Sequence, residues 1–297
     1  MSELNYEHVF DVLVDKTAEY VTENNLKAMV LGISGGIDST VVAAICHEVS
    51  KKTGIPLIGR SLPIKNKNDE FDVSKLVGEA FCDDFKVCEL RSMTDKFKVF
   101  IENYEDSILI PPIADGNIQA RIRMIYLYNL ASIHKGLVMS TDNQTEYQLG
   151  FWTIHGDVGD FDPIQDLWKT EVYGLANYLR DRYRGKALEA LHNDYKETCD
   201  KYRAMSYAVY SSCKLIPTDG LGISNSDLEQ IGARTYYDVD RVLQTLICKA
   251  SPENDKLQDS LEQELGREVV HKIIKRHTAS EFKRKKAPIY ISRELYE

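Results

Sequence analysis

The positions of apolar residues along the chain predict an alternation of helices and short strands. Near the N-terminus, side chains recur at steps of three and four residues, at Phe10, Leu13, Val14, Thr17 and Val21. This spacing predicts an amphipathic helix over residues 3–23. Further along, the β-rich runs "KAMVLGI", "IPLIGRSL", "DFKVCEL" and "KGLVMST" are separated by segments long enough for crossover helices. The alternation predicts an α/β fold, a doubly wound parallel sheet with helices on both faces.

The second half of the chain follows a different pattern. A Gly- and Asp-rich region from Thr141 to Pro163 is predicted to be a loop, and a helical pattern then continues to about Arg184. The rest of the chain is predicted to be mainly helical, with "IPTDGLGISNSD" as a turn-rich interruption. We therefore predict a single domain over 1–297, made of an N-terminal helix (1–25), a core (26–185) and a mainly helical part (186–297).

Composition and charge exclude several functional classes. The formal net charge is -9 at pH 7, which argues against a sequence-independent nucleic-acid binder because such proteins need broad Lys and Arg surfaces. The six cysteines never form a CxxC pair, so we expect reduced thiols and no structural zinc. The N-terminus is not typical of a secretory leader, and no apolar run approaches the ~20 residues that span a bilayer. We expect a cytoplasmic protein that binds neither nucleic acid nor membranes.

The segment "SGGIDST" follows the first predicted strand and has the features of a phosphate-binding loop. Gly35 and Gly36 allow a sharp turn and bring backbone amides close to a ligand. Ser39 and Thr40 supply hydroxyl groups, and the predicted helix over residues 38–50 points its N-terminus at the same place. A plain glycine turn with an Asp cap is the simpler alternative, but the combination of features favours an anion site.

Asp38 is the unusual member of this loop because a bare carboxylate repels phosphate. The arrangement makes electrostatic sense when a hard cation such as Mg²⁺ lies between the two. The chain has no Walker A lysine after the last glycine and no GxGxxG after a strand, so neither of these nucleotide motifs applies. The loop instead resembles the pyrophosphate-binding loop of the ATP pyrophosphatases, which include GMP and asparagine synthetases, tRNA thiolases and NAD+ synthetases.

A second segment selects one family within this group. "GNIQARIRMIYLYNLA", residues 116–131, is similar to the NxxARxRM helix of NAD+ synthetases, which the other members lack. An apolar stripe is predicted on this helix from Ile118, Ile122 and Ile125. Arg121 and Arg123 lie about 160° apart at helical spacing and cannot serve one ligand atom. The resemblance assigns Arg123 to the substrate deamido-NAD+ and leaves Arg121 a structural role.

The resemblance covers nearly the whole chain and implies a set of site residues. It continues through "STDNQTEYQLGFWTIHGDVGDFDPIQDLWKTEVYGLA", "IPTDGLG", "SDLEQIGARTYYDVDRVL" and "EFKRKKAPIYIS". The residues implied to bind ATP are Gly32, Ile33, Ser34, Gly35, Gly36, Ile37, Asp38, Ser39, Arg60, Thr141, Lys169 and Thr218. The residues implied to bind Mg²⁺ are Asp38 and Glu146, and those implied to bind deamido-NAD+ are Arg123, Asp160 and Lys283. Asp157 is a candidate to take a proton from ammonium or to orient ammonia.

The resemblance also implies a reaction and a mode of assembly. In this family, ATP activates the nicotinate carboxylate of deamido-NAD+ as an adenylate and releases pyrophosphate. Ammonia then displaces AMP to give NAD+. The family works as homodimers, so we expect a homodimer here. The polar segments from Ile64 to Glu70 and from Asp219 to Asp227 are candidates to close over the reactive adenylate, which water would hydrolyse.

Two positions depart from the ammonia-dependent pattern. Ile154 stands where many such members have Lys, and Phe282 stands where they have His. "DVGDFDPI" and "EFKRKKAP" are closer to the synthetase domain of glutamine-dependent enzymes, but we expect no amidase domain within a chain of 297 residues. We therefore expect an enzyme that uses ammonia, or a subunit supplied by a separate glutaminase. The alternatives are a tRNA-modifying thiolase of the same superfamily and a catalytically silent nucleotide-binding module.

Overall fold

A parallel sheet lies at the centre of the molecule and fixes the position of the loops that follow its strands. The computed structural model describes residues 4–64, 68–105, 109–217, 226–247 and 253–285. The strands in these ranges are β1 Met29–Gly32, β2 Leu57–Ser61, β3 Asp84–Val87 and β4 Leu137–Val138. All pairs are parallel, in the order β3-β2-β1-β4. Each predicted β-rich run supplies one strand, so the predicted parallel sheet is confirmed.

Helices follow and separate these strands, and they make up most of the described chain after β4. They are α1 Tyr6–Glu23, α2 Ile37–Thr53, α3 Asn68–Phe81, α4 Arg91–Tyr104, α5 Pro112–Ile133, α6 Gln144–Leu149, α7 Lys169–His192, α8 Lys196–Ser212, α9 Asp227–Ile231, α10 Tyr236–Ile247, α11 Glu253–Leu265, α12 Arg267–Ala279 and α13 Glu281–Arg284. The helices predicted over 3–23 and 38–50 correspond to α1 and α2, with ends that differ by at most three residues.

Alternate side chains of β1 enter two different apolar clusters. Met29 and Leu31 pack in the main core together with residues of α1, α2, α3, α7 and α8. Val30 lies on the opposite face, where it packs with Ala131 of α5 and Ile58 of β2. Successive side chains of a strand point to opposite faces of the sheet, so these two clusters place helices on both sides. The doubly wound prediction is therefore confirmed.

A separate apolar cluster organises the C-terminal helices. Val239 and Leu243 of α10 pack with Leu149, the last residue of α6, and with residues of α11 and α12. The helix α10 contacts both α6 and α7. The helix α7 runs without interruption through the predicted boundary between residues 185 and 186. The predicted core and the predicted helical part consequently share one long helix.

Some sequence predictions differ from the structure. The predicted loop over residues 141–163 contains α6, because Asn143 and Glu146 form a capping box at its start. Ile125 was predicted to lie on the apolar stripe of α5, but it is 54% exposed, whereas Ile122 is 4% exposed. Thr218 and parts of both predicted closing segments, residues 65–67 and 219–225, lie outside the described residues.

A membrane span needs a helix that is both long and apolar. No helix within the described ranges is both long and apolar enough to cross a bilayer.

The cysteines in the described ranges are free thiols, at Cys46, Cys82, Cys88, Cys199 and Cys213. Burial raises the pKa of Cys82 to about 12 and raises the pKa of Cys46 further. These two thiols therefore stay protonated and unreactive at neutral pH.

Candidate active site

The glycine loop joins the carboxyl end of β1 to the N-terminus of α2. Gly35 adopts a φ of +89°, which is the left-handed region that glycine tolerates. Ser34 Oγ lies 3.0 Å from Ser39 Oγ and accepts a hydrogen bond from the Gly36 amide at 3.2 Å. No side chain caps the first turn of α2, although Asp38 lies in that turn, so its first amides carry partial positive charge. The loop therefore has the open backbone donors that an anion site requires.

A buried lysine lies between two carboxylates beside this loop. Lys169 Nζ donates to Asp38 Oδ2 at 2.5 Å and to Glu146 Oε1 at 3.0 Å. The lysine side chain is 1% exposed, whereas the two carboxylates keep 15% and 20% of their surfaces open. Asn143 joins the group by donating its side-chain amide to Asp38 Oδ1 at 2.8 Å. Residues that are far apart in the sequence thus form one polar cluster at the carboxyl edge of the sheet.

Charge in this cluster is strongly coupled. Burial lowers the pKa of Lys169, but Asp38 and Glu146 raise it more, so that it lies well above its ordinary value. The lysine is therefore charged, and its ammonium group lies 5.6 Å from the centre of the Tyr236 ring. Burial raises the pKa of Glu146 to about 7, although Lys169 opposes that shift.

Two further carboxylates lie close to this cluster. Asp142 accepts a hydrogen bond from Ser140 Oγ at 2.8 Å, and Asp162 accepts one from the Ile164 amide at 3.0 Å. Burial raises the pKa of Asp162 to about 7. Burial, together with the charges of neighbouring acids, raises the pKa of Asp142 well above its ordinary value. The site therefore holds more carboxyl groups than its one buried lysine contacts.

A second group of predicted residues meets on the other side of the α6 region. Lys283 Nζ donates to the carbonyl of Gly150 at 2.6 Å and to that of Trp152. Asp157 Oδ1 accepts from the Thr153 amide at 2.7 Å, and its charge acts on both Lys283 and Arg123. Burial lowers the pKa of Arg123, while Asp157 opposes that shift. The structure thus brings Arg123, Asp157 and Lys283 together.

Two other predicted site residues, Arg60 and Asp160, contact protein groups outside these two clusters, as does Arg121, for which a structural role is predicted. Arg60 is 3% exposed, and its guanidinium donates to Asp84 Oδ2 at 2.7 Å across β2 and β3. Asp160 Oδ2 accepts from the Val138 amide at 2.9 Å, at the edge of the sheet. Arg121 is exposed and donates to a loop carbonyl 3.2 Å away. In this structure these three side chains hold neighbouring segments of the protein.

An aromatic cavity of about 650 Å³ adjoins the second cluster. Its lining residues are Met124, Tyr128, Trp152, Ile154, His155, Gly156, Val158, Gly159, Phe282, Lys283, Arg284 and Lys285. The Lys283 ammonium lies 5.6 Å from the centre of the Trp152 ring. Flat aromatic walls with cationic groups at one side suit a ring system that bears negative charge.

Comparison with known proteins identifies the family. The sequence profile of the NAD synthase family matches residues 9–287. The chain belongs to the NAD synthase family. It is similar to the NH(3)-dependent NAD(+) synthetase of Campylobacter jejuni strain NCTC 11168, with 34% identity over 177 residues, 59% of this chain and 69% of that protein. The solved structure of an NH3-dependent NAD synthetase from the same strain matches with a TM-score of 0.65 and 25% identity, over 97% of this chain and 100% of that chain.

Two more relatives show how widely this NAD synthase fold is shared. The chain is 29% identical to the glutamine-dependent NAD(+) synthetase of Aquifex aeolicus over 286 residues, 95% of this chain and 45% of that protein. The structure of an NMN synthetase from Francisella tularensis matches with a TM-score of 0.73 and 22% identity, over 98% of this chain and 100% of that chain. The second likeness concerns the fold alone.

Sequence reasoning missed several groups that line the site of this NAD synthase family member. Asp142 follows the predicted site residue Thr141 in the sequence. Asp162 follows Phe161, which forms a parallel β-bridge with Met139. Their signal was the high density of Asp in a short stretch after a buried strand. Tyr128 and Trp152 line the cavity, and isolated aromatic residues carry no signal that distinguishes them from core residues.

Proposed function

We propose that this chain converts deamido-NAD+ to NAD+ with ATP and ammonia, and releases AMP and pyrophosphate. The observation that carries the proposal is the charged Lys169, held between Asp38 and Glu146 beside the uncapped N-terminus of α2. The Lys169 ammonium and the N-terminus of α2 are two independent sources of positive potential, and the release of pyrophosphate requires such potential to stabilise the leaving anion. The matches to proteins named NAD(+) synthetase support the same assignment.

The proposed reaction proceeds in two balanced steps. A carboxylate oxygen of the nicotinate group forms a bond to the α-phosphorus of ATP, and the bond to the pyrophosphate oxygen breaks. The nitrogen of ammonia then bonds to the carbonyl carbon, AMP departs with its oxygen, and ammonia loses a proton to give the amide. Amides of α2 and the ammonium of Lys169 stabilise the charge that accumulates on pyrophosphate in the first step.

The carboxylates of the site fit a divalent cation. Lys169 Nζ contacts both Asp38 and Glu146, and the charges of Glu146 and Asp38 act on the nearby Asp142 and Asp162, so oxygen ligands outnumber the one buried ammonium group. Within the described ranges, no three His, Cys, Asp or Glu side chains are arranged to hold a metal by themselves. Mg²⁺ commonly takes one or two carboxylates and completes its shell with water and phosphate oxygens. We assign Mg²⁺ to Asp38 and Glu146, where it would neutralise charge on the leaving group.

The deamido-NAD+ end of the site is assigned to the aromatic cavity and its charged neighbours. Arg123 and Lys283 provide the cations that a dinucleotide pyrophosphate or a nicotinate carboxylate requires. Asp157 lies beside both of them and is assigned to orient ammonia or to receive its proton. Ile154 and Phe282 line the same cavity as apolar surface, so ring packing takes the place of the Lys and His contacts of other members.

The reaction products decide between this function and its alternatives. Purified protein is incubated with deamido-NAD+, ATP and Mg²⁺, with either ammonium or glutamine, and the products are separated. We expect NAD+, AMP and pyrophosphate in equal amounts with ammonium. A matched reaction with nicotinate mononucleotide tests whether the adenylyl half of the substrate is needed. Release of ADP, or AMP release that depends on tRNA, contradicts the proposal, and tight ATP binding with no turnover indicates the silent module.

We also propose that the chain works as a homodimer, joined through an apolar stripe on α4. The stripe consists of Met93, Phe97, Phe100 and Tyr104, which are 47–75% exposed and recur at steps of four, three and four residues. This spacing places them on one face of the helix. Only Thr94 of α4 is buried. A symmetric dimer pairs a patch with its own copy, so a single apolar stripe suffices to build the interface.

Replacement of Phe100 by Glu is expected to shift the protein from dimer to monomer. The variant places a charge at the centre of the α4 stripe, which would lie against its own copy across a two-fold axis. Sedimentation velocity at several concentrations measures the change. The control is Leu257→Glu, an exposed leucine on α11 that is 51% accessible. A Phe100→Glu variant that stays dimeric excludes this stripe, and a monomeric wild-type protein excludes the dimer.

A further inference from the structure

A buried carboxylate from the C-terminal helices reaches the start of α6 and α7. Asp240 lies on α10 and is 0% exposed. Its Oδ1 accepts from Thr145 Oγ1 at 2.5 Å, and its Oδ2 accepts from Thr170 Oγ1 at 2.8 Å and from the Thr170 amide at 3.0 Å. The donors are neutral groups from two different helices. One carboxylate therefore joins three helices at one point.

The partners of Asp240 are the sequence neighbours of the residues that form the polar cluster. Thr145 precedes Glu146 on α6, and Thr170 follows Lys169 on α7. In addition, the Lys169 amide donates to Thr145 Oγ1 at 2.8 Å. The chain of contacts runs from the Asp240 carboxylate through the Thr145 hydroxyl to the backbone of Lys169. A shift of the Asp240 carboxylate would therefore move both Lys169 and Glu146, the glutamate that Lys169 contacts.

Asp240 and Glu171 both accept hydrogen bonds from backbone amides at the N-terminus of α7, Asp240 from Thr170 and Glu171 from Trp168. The residue before α7, Trp168, makes no side-chain hydrogen bond to the helix amides. The first amides of a helix have no partners within the helix, and here those of Lys169 and Thr170 are bonded to the Thr145 hydroxyl and to Asp240. The N-terminus of a helix favours negative charge. The carboxylate is therefore held at a defined place and orientation by its donors.

We propose that Asp240 is a positioning residue, which fixes the starts of α6 and α7 so that Lys169 reaches Asp38 and Glu146 together. A buried carboxylate costs more than an apolar contact between the same helices. Charge-assisted hydrogen bonds give the directionality that an apolar contact lacks. The role rests on the proposed function, because positioning matters only if the Lys169 cluster binds ATP.

The test compares matched variants by turnover, ATP affinity and thermal stability. Asp240→Asn keeps the shape of the side chain, Thr145→Val removes the bridging hydroxyl, and Thr145→Ser retains it. Asp259→Asn on α11 is an exposed control. We expect Asp240→Asn and Thr145→Val each to lower kcat/KM for ATP by about 10–100-fold, while Thr145→Ser and the control stay near wild type. The double variant should lose no more than the worse single variant, because both changes break one chain of contacts.

A binding measurement separates this role from the proposed function. The probe is the non-cleavable ATP analogue with a methylene group between the α and β phosphates, titrated calorimetrically in Mg²⁺. Weaker analogue binding by Asp240→Asn and by Thr145→Val, with unchanged binding by Thr145→Ser, supports the positioning role. This conclusion holds even if the wild-type protein forms no NAD+, because the lack of NAD+ overturns the proposed function alone. Unchanged kcat and analogue affinity, with only a lower Tm, overturns the inference. If Asp240→Asn fails to fold, the comparison of Thr145→Val with Thr145→Ser gives the same decision.

Discussion

Replacement of Lys169 by methionine is expected to lower kcat/KM for ATP by about 10³-fold. The ammonium group is the charged donor between Asp38 and Glu146, and the loss of one donor aimed at developing charge costs about 10²–10³ in rate. Methionine adds a second cost, because it leaves the two carboxylates facing the leaving group with no cation of the protein between them. Steady-state kinetics with varied ATP, at saturating deamido-NAD+ and ammonium, measures the loss.

The same replacement is expected to destabilise the fold by about 3–5 kcal/mol, as is usual when one partner of a buried ion pair is removed. Urea unfolding measures this change. Adding Glu146→Gln to the Lys169→Met variant should restore part of the stability, because it removes one of the unpaired carboxylates, and should restore no activity. Lys201→Met, an exposed lysine on α8, is the matched control. A Lys169→Met variant within tenfold of wild-type kcat/KM would remove the lysine from the proposed chemistry.

The sheet was predictable from the sequence, whereas helix α6, which carries Glu146, was not. The runs of β1, β2 and β4 were recognisable because these strands are almost fully buried, and strands covered on both faces are nearly continuous apolar runs. The edge strand β3 is partly exposed. In contrast, α6 is six residues long and lies in a Gly- and Asp-rich region, so it is too short to show a helical period. Its signal was the capping pair, Asn143 followed three residues later by Glu146.

The site was predictable as a set of motifs but not as a set of contacts. Ends of parallel strands meet at one edge of a sheet, so motifs that follow strands were expected to converge. Nothing in the sequence places the Lys169 ammonium between two carboxylates, because that depends on where α7 begins relative to β1. Arg60 is a second example, because nothing in the sequence shows that its guanidinium contacts Asp84 of the neighbouring strand.

Replacement of Gly35 by alanine is expected to impair both folding and ATP binding. At a φ of +89°, a residue with a Cβ pays about 1–2 kcal/mol in steric strain. The added Cβ would also lie 2.7 Å from Glu70 O and 2.8 Å from the Ser74 amide nitrogen, so the loop or α3 must move. Crowding of this kind costs about 1–3 kcal/mol more. Displacement of the loop by about 1 Å is expected to lower kcat/KM about 100-fold.

The other end of α2 supplies the control that separates strain from displacement. Gly54 ends this helix with a φ of +75°, and an added Cβ there meets nothing within 4 Å. Gly54→Ala should therefore lose only the strain, about 1–2 kcal/mol, with the affinity for ATP unchanged. Urea unfolding and titration with ATP analogue measure both variants. Equal losses of ATP affinity in the two variants would show that the effect of Gly35→Ala reflects stability alone, and that the loop does not hold the phosphates.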